Sequence, residues 1–213
     1  MSALDSLDWL AVRQQYDVRE HTHHQLMAYR QKRAVAAFVE LLLGISDPSG
    51  NYSAAEHGIG PRVLAENQNG VSRVFELAEK FIAIKTVHQV PSIIRQAGLR
   101  YLQIGVGSEA SCMVNPQVCW VANTRTIWTH LVIKHADDFA QADEELQLYR
   151  EADVTSEMEY SMWAEIHGEL AGTITRIAEE GERCARQASV TPGTIKYLWA
   201  DAIANELYTA YYQ

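Results

Sequence analysis

Residues 99–136 read LRYLQIGVGSEASCMVNPQVCWVANTRTIWTHLVIKHA. This is the one stretch where strand-like alternation, two cysteines, a glycine pair and reactive polar residues crowd together. Leu102, Ile104 and Val106 alternate with Tyr101, Gln103 and Gly105, the period-two pattern of a half-buried strand. Val118, Trp120 and Ala122 offer a second alternating set, so a hairpin across residues 107–117 is expected. Asn123 or Thr124 can then cap a long helix. Its stripe is Trp128, Leu131, Val132, His135, Phe139, Ala142, Leu146 and Tyr149, which recurs at helical spacing.

Outward from this segment the chain reads as amphipathic helix. Leu7, Leu10 and Tyr16 suggest a short first helix. A second is expected from about Glu20 to Leu43, with Met27, Ala34, Phe38 and Leu42 on one face and Gly44 as its stop. Residues 45–70 are rich in loop formers. Val74, Leu77, Phe81 and Ile84 mark a helix from about Ser72 to Val87, and Pro91 and Gly98 bracket a shorter one. Ser156 and Glu159 have capping-box spacing for a helix reaching about Ala188. Ala164, Gly168 and Gly172 fall four apart on one of its faces, which suggests close approach of another backbone. Thr191 and Pro192 signal the last helix, whose aromatic end, Tyr208, Tyr211 and Tyr212, is expected to dock on this chain or on a partner.

The expected fold is therefore mainly α, about six or seven helices with a small central β-hairpin or short sheet, an α+β arrangement being the alternative. A single globular domain is expected over residues 1–213. Its parts are a helical N-terminal part (1–98), a hairpin region (99–123) and three long C-terminal helices (124–213). At 213 residues and 47% hydrophobic composition, such a chain can bury a core without metal or disulfide staples. Three cysteines, Cys112, Cys119 and Cys184, do not make a disulfide framework and point to a reducing compartment. The N-terminus has no basic start followed by an apolar run. The longest apolar segment, near residues 34–45, is far short of a membrane span and contains Glu40. A soluble cytoplasmic protein is expected. The formal charge of −9 argues against broad binding of nucleic acid, which needs a basic surface.

Four patterns carry possible chemistry. Gly105 and Gly107 follow an expected strand, as phosphate-binding turns do, but the third glycine and the Lys-Ser/Thr of the known motifs are missing. Cys112, Cys119, His130 and His135 are zinc-ligand types, although six residues separate the cysteines where paired zinc cysteines prefer two to four. Glu20, His23 and His24 share one helical face, and Glu-x-x-His is an element of di-iron bundles. They are the candidate metal ligands, without the second copy that such bundles use. No cofactor is assigned.

Arg125 and His130, in NTRTIWTH, form an Arg-x-x-x-x-His element. This spacing resembles the motif of HEPN-type helical ribonucleases, in which a dimer brings two Arg/His pairs onto the RNA backbone. The resemblance covers about six residues, and Arg19 and His24 repeat the spacing. It implies His130 as general acid/base and Arg125 as stabiliser of phosphorane charge. Glu109 and Asn123 are further candidate catalytic residues of the same stretch. RNA enters as a partner only on this reading. The sequence holds no Gly-x-Ser-x-Gly elbow and no complete nucleophile set. The preferred expectation is an interaction or accessory subunit in a homo- or hetero-oligomer, with a second copy or another protein as partner and no membrane. A metal-independent ribonuclease and a metal-binding protein are the alternatives.

Overall fold

A computed structural model describes residues 3–50, 52–150 and 157–212. Among these the chain forms eleven α-helices and no strand. They are α1 (Trp9–Gln31), α2 (Val35–Leu42), α3 (Ser53–Glu56), α4 (Ile59–Ala65), α5 (Gly70–Ala83), α6 (Val90–Ala97), α7 (Ile104–Val114), α8 (Thr124–Lys134), α9 (Phe139–Arg150), α10 (Glu157–Gln187) and α11 (Lys196–Tyr212). None of the described helices is long and apolar enough to cross a membrane. The chain divides into two compact units, residues 18–121 and residues 1–17 with 122–213, and α1 contributes to both.

The expected central hairpin, and with it the α+β alternative, is overturned. The segment read as its first strand enters α7, where Gly105 and Gly107 are helical. Nine of the eleven residues of α7 are buried. A helix buried on all sides has no polar face, so its 3.6-residue period is invisible, and the chance alternation of Leu102, Ile104 and Val106 filled the gap. Gly107 has a packing reason: a Cβ there would lie 2.5 Å from Ile94 Cδ1, so the glycine lets α6 close onto α7. Residues 119–122 run buried and without a strand partner.

Two other boundaries differ from expectation. The long stripe from Trp128 to Tyr149 spans two helices, α8 and α9, and the helix expected over residues 20–43 is the second part of α1 followed by α2. The reason is the same at each break. The helix ends with the paired reverse bonds of a Schellman motif around a left-handed residue. After α1 these are Arg33 N–H to Arg30 O (3.0 Å) and Ala34 N–H to Tyr29 O (2.9 Å), with Arg33 at φ 56°. After α8 they are Ala136 N–H to Ile133 O (3.2 Å) and Asp137 N–H to Val132 O (2.9 Å), with Ala136 at φ 53°. The same motif closes α2 at Gly44 and α10 at Ser189. Only one of the four carries the glycine that announces such an ending in a sequence. Of the capping-box pair, Ser156 lies outside the described residues.

In the unit of residues 18–121, α5 packs against α2, α4, α6 and α7. Phe38 of α2 meets Phe75 of α5 edge to face at 5.4 Å. Side-chain amides clip the connections to the helices. Asn67 donates to Val63 O (2.8 Å) and Arg100 O (3.1 Å) and accepts from Arg100 N–H (3.0 Å). Asn115 Nδ2 donates to Phe81 O (2.9 Å) and Ile84 O (3.3 Å). These bonds satisfy backbone carbonyls that no sheet is present to pair.

The deepest polar feature of this unit is a charge pair. Glu109 on α7 and Arg19 on α1 are each about 1% exposed, and Arg19 Nη2 donates to Glu109 Oε1 at 2.5 Å. The other carboxylate oxygen accepts Ser53 N–H at 2.9 Å, holding the start of α3. The Arg19 guanidinium also lies 5.1 Å from the centre of the buried Tyr52 ring. Removing one partner of such a pair leaves an uncompensated buried charge. Glu109→Gln or Arg19→Met alone is expected to cost about 3–5 kcal/mol in urea denaturation. The double variant Arg19→Met/Glu109→Met is expected to cost less than the sum of the two, as a double-mutant cycle reads it. Additive losses would count against the pair as the organising contact.

Candidate functional site

The unit of residues 1–17 and 122–213 holds three of the four candidate catalytic residues, Asn123, Arg125 and His130, on α8. It is assembled by the packing of α8 on α9, α10 and α11 and of α10 on α11. The start of α11 is held by Tyr16, whose hydroxyl accepts Thr194 N–H and Ile195 N–H at 3.1 Å each. Thus α11 begins at Lys196, later than the expected Thr191–Pro192 start, because a hydroxyl from α1 meets the N–H groups ahead of it. The Tyr16 ring crowds Gly193, where any Cβ would clash with it.

Asn123 is the N-cap of α8. Its Oδ1 accepts from Arg125 N–H (3.1 Å), Thr126 N–H (3.1 Å) and the Thr126 hydroxyl (2.9 Å). The expected cap is therefore present, and the oxygen that acid–base chemistry would need is spent on the helix. Arg125 Nη1 donates to Asn205 Oδ1 of α11 at 2.8 Å. Asn205 is buried one turn beyond the buried Asp201. His130 points elsewhere: its Nδ1 lies 2.7 Å from the Thr173 hydroxyl of α10. Five helical residues rotate a side chain by about 140°, so Arg125 and His130 meet different helices. Glu109, the fourth candidate, belongs to the unit of residues 18–121 and is bound to Arg19 and Ser53 as described above.

His130 is 9% exposed, and its Nε2 finds no partner among the described residues. Burial lowers its pKa below the usual imidazole value; nearby Glu169 acts in the opposite direction. His135, at the C-terminal end of α8, pairs instead through Nε2 with Glu145 Oε2 at 2.8 Å, and Lys134 Nζ reaches Glu145 Oε1 at 2.6 Å. The aromatic end of α11 docks on its own chain. Trp128 Nε1 (2.7 Å), Tyr212 OH (2.5 Å) and Tyr211 OH (3.3 Å) all donate to the Asp143 carboxylate of α9. Phe139 stacks on Tyr211 at 4.8 Å.

The metal candidates do not converge. Among the described residues no group of three or more His, Cys, Asp or Glu side chains is arranged to hold a metal ion. His23 Nδ1 lies 2.7 Å from Met113 O, and burial lowers the pKa of its ring. His24 is exposed, with its ring 5.6 Å from that of His23. All three cysteines are free and buried. Burial pushes the Cys119 thiol up to about 12, with a Ser111 hydrogen bond opposing the shift.

Sequence reading did not find Thr173, Asn205, Asp143 or Arg19 as partners. Each lies between 15 and 90 residues from the group it serves, and no local spacing links them. No family model, no curated protein and no solved structure matches the chain.

The lowered pKa of His130 has a sign for stability. The unfolded chain takes up the imidazole proton at the ordinary value, about 6.5, before the folded chain does. Its contribution is present in full above that value and is lost as pH falls towards the lower folded value. His130→Gln is expected to flatten the stability–pH curve below about pH 6.5, by at most one proton's worth of slope, about 1.4 kcal/mol per pH unit. Denaturant titrations across this range, variant against parent, measure it. Parallel curves would mean that His130 does not titrate differently on folding.

Proposed function

We propose that this chain is an interaction subunit that works as a homo-oligomer, with the Ala164–Gly168–Gly172 face of α10 as the contact between copies. The observation that carries the reading is a contrast among the three glycines of one helix. Gly181 has a reason within the chain: a Cβ there would collide with Ile203 Cδ1 of α11. Gly168 and Gly172 have none, since beyond the local backbone of α10 itself no described atom lies within 4 Å of a Cβ built at either position. Gly172 is exposed and Gly168 half-buried.

Each glycine in a helix interior costs about 1 kcal/mol relative to alanine. Two such residues one turn apart, beside Ala164 and Ala171, make a shallow face on which a second helix can approach closely. A second copy of the same face is its simplest complement, because a two-fold contact pairs a patch with itself. The half-exposed tyrosines Tyr211 and Tyr212 are a poorer contact, being engaged with Asp143 and Phe139. Cleavage of phosphodiesters by Arg125 and His130 draws no comparable support, as the two side chains serve different helices.

Sedimentation at micromolar concentration tests this. The parent chain is expected to be a dimer, and Gly168→Leu/Gly172→Leu a monomer with helix content and Tm equal or raised, leucine being the better helix former. A monomeric parent, or a leucine variant that still dimerises, would overturn the reading.

A further inference from the structure

In the unit of residues 18–121, a cavity of about 640 Å³ opens between the end of α1, the start of α2 and the outer side of α5. That size is ordinary for a small-molecule site. Three of its seven lining residues are apolar, Met27, Val35 and Phe75, all half-buried; Gln31 and Glu79 line it beside two arginines. Phe75 is held by its edge-to-face contact with Phe38.

Two guanidinium groups line the cavity, and they differ in what they do. Arg30 is committed: its Nε donates to Glu79 Oε1 at 2.5 Å and its Nη2 to Glu79 Oε2 at 2.8 Å. The two-pronged bond neutralises both charges and fixes that wall. Arg33 is exposed, and its guanidinium meets no acceptor among the described residues. The cavity therefore has one unspent positive charge, with a planar fork of donors, among its lining residues beside apolar ones. The first turn of α2 begins at Val35 in the same wall, and no side chain caps it.

We infer that this cavity binds a small monoanionic carboxylate with an aromatic or branched apolar body. The carboxylate takes the Arg33 fork through two parallel hydrogen bonds, and the apolar body covers Met27, Val35 and Phe75. A cation is repelled by the Arg33 charge. A neutral ligand leaves the Arg33 donors without a charged acceptor. The chain's charge of −9 gives anions no general attraction, so binding here depends on the local geometry. The inference stands apart from self-association through α10 and uses none of its residues.

Isothermal titration calorimetry of the full chain with phenylacetate, and with phenylacetamide as its neutral counterpart, tests it. Phenylacetate is expected to saturate with a Kd at or below about 1 mM, and the amide to bind about tenfold more weakly or not at all. Arg33→Gln, at an exposed position, is expected to reduce phenylacetate to the level of the amide while the far-ultraviolet spectrum and Tm stay unchanged. Methyl resonances of Met27 and Val35 are expected to shift with phenylacetate. Failure of phenylacetate to saturate by about 10 mM, equal binding of acid and amide, or undiminished binding to Arg33→Gln would each overturn the inference.

Discussion

Three helices of this chain, α7, α8 and α11, are buried on most of their surface, and each carries polar groups inward. Nine of eleven residues are buried in α7, seven of eleven in α8 and nine of seventeen in α11. A buried polar atom without a partner costs about 1–3 kcal/mol, and a buried charge more. The remainder of each unit is arranged to meet this demand. In α7, Glu109 is answered by Arg19 and by the first N–H of α3, while the hydroxyls of Ser108 and Ser111 turn back onto carbonyls of their own helix. In α8, Trp128 is answered by Asp143, His130 by Thr173, and the Thr129 hydroxyl by Ala204 O at 3.5 Å. In α11, Asn205 is met by Arg125. The residues that looked catalytic in the sequence are mostly the polar contents of these buried helices.

That same burial decides what could be read from the sequence. Where a helix has one wet face, its period is visible. Val74, Leu77 and Phe81 identify α5, and Pro91 with Gly98 brackets α6, because those helices alternate core and solvent. In α7 no polar face marks the helical period, and its first residues, 104–106, continue an alternation that looks like a strand. The missed breaks have a second cause. Arg33 and Ala136 adopt the left-handed conformation that usually selects glycine, so nothing in the residue types marks the ends of α1 and α8. The apolar stripe also keeps phase from α8 into α9, which fused two helices into one.

The candidate site follows the same division. The capping role of Asn123 was legible, since a cap and its N–H groups lie within three residues. The destinations of Arg125 and His130 were not, since they depend on which helices flank α8. Helical rotation alone separates the two side chains by about 140°. Convergence on one substrate would therefore require groups from another helix or another copy: within the unit Arg125 is bonded to Asn205 and His130 Nδ1 to Thr173, while His130 Nε2 meets no described partner.

Broken local rules divide into those the fold compensates and those it does not. Gly107 and Gly193 admit Ile94 and Tyr16, Gly181 admits Ile203, and the buried Glu109 has Arg19. Each departure from propensity or polarity is offset by a contact within the same unit. Gly168 and Gly172 give up about 2 kcal/mol of helix propensity between them with no described neighbour to use the space. Arg33 holds a charge beside apolar lining residues while its neighbour Arg30 is fully paired. Unlike the compensated positions, these two places reach the surface. Consistency across levels is what makes a sequence specify a fold, and uncompensated exceptions concentrate where function is served. On that argument the small-residue face of α10 and the cavity beside Arg33 are the uncompensated places of the described residues, whereas the buried Glu109 is held by Arg19 and His130 by Thr173.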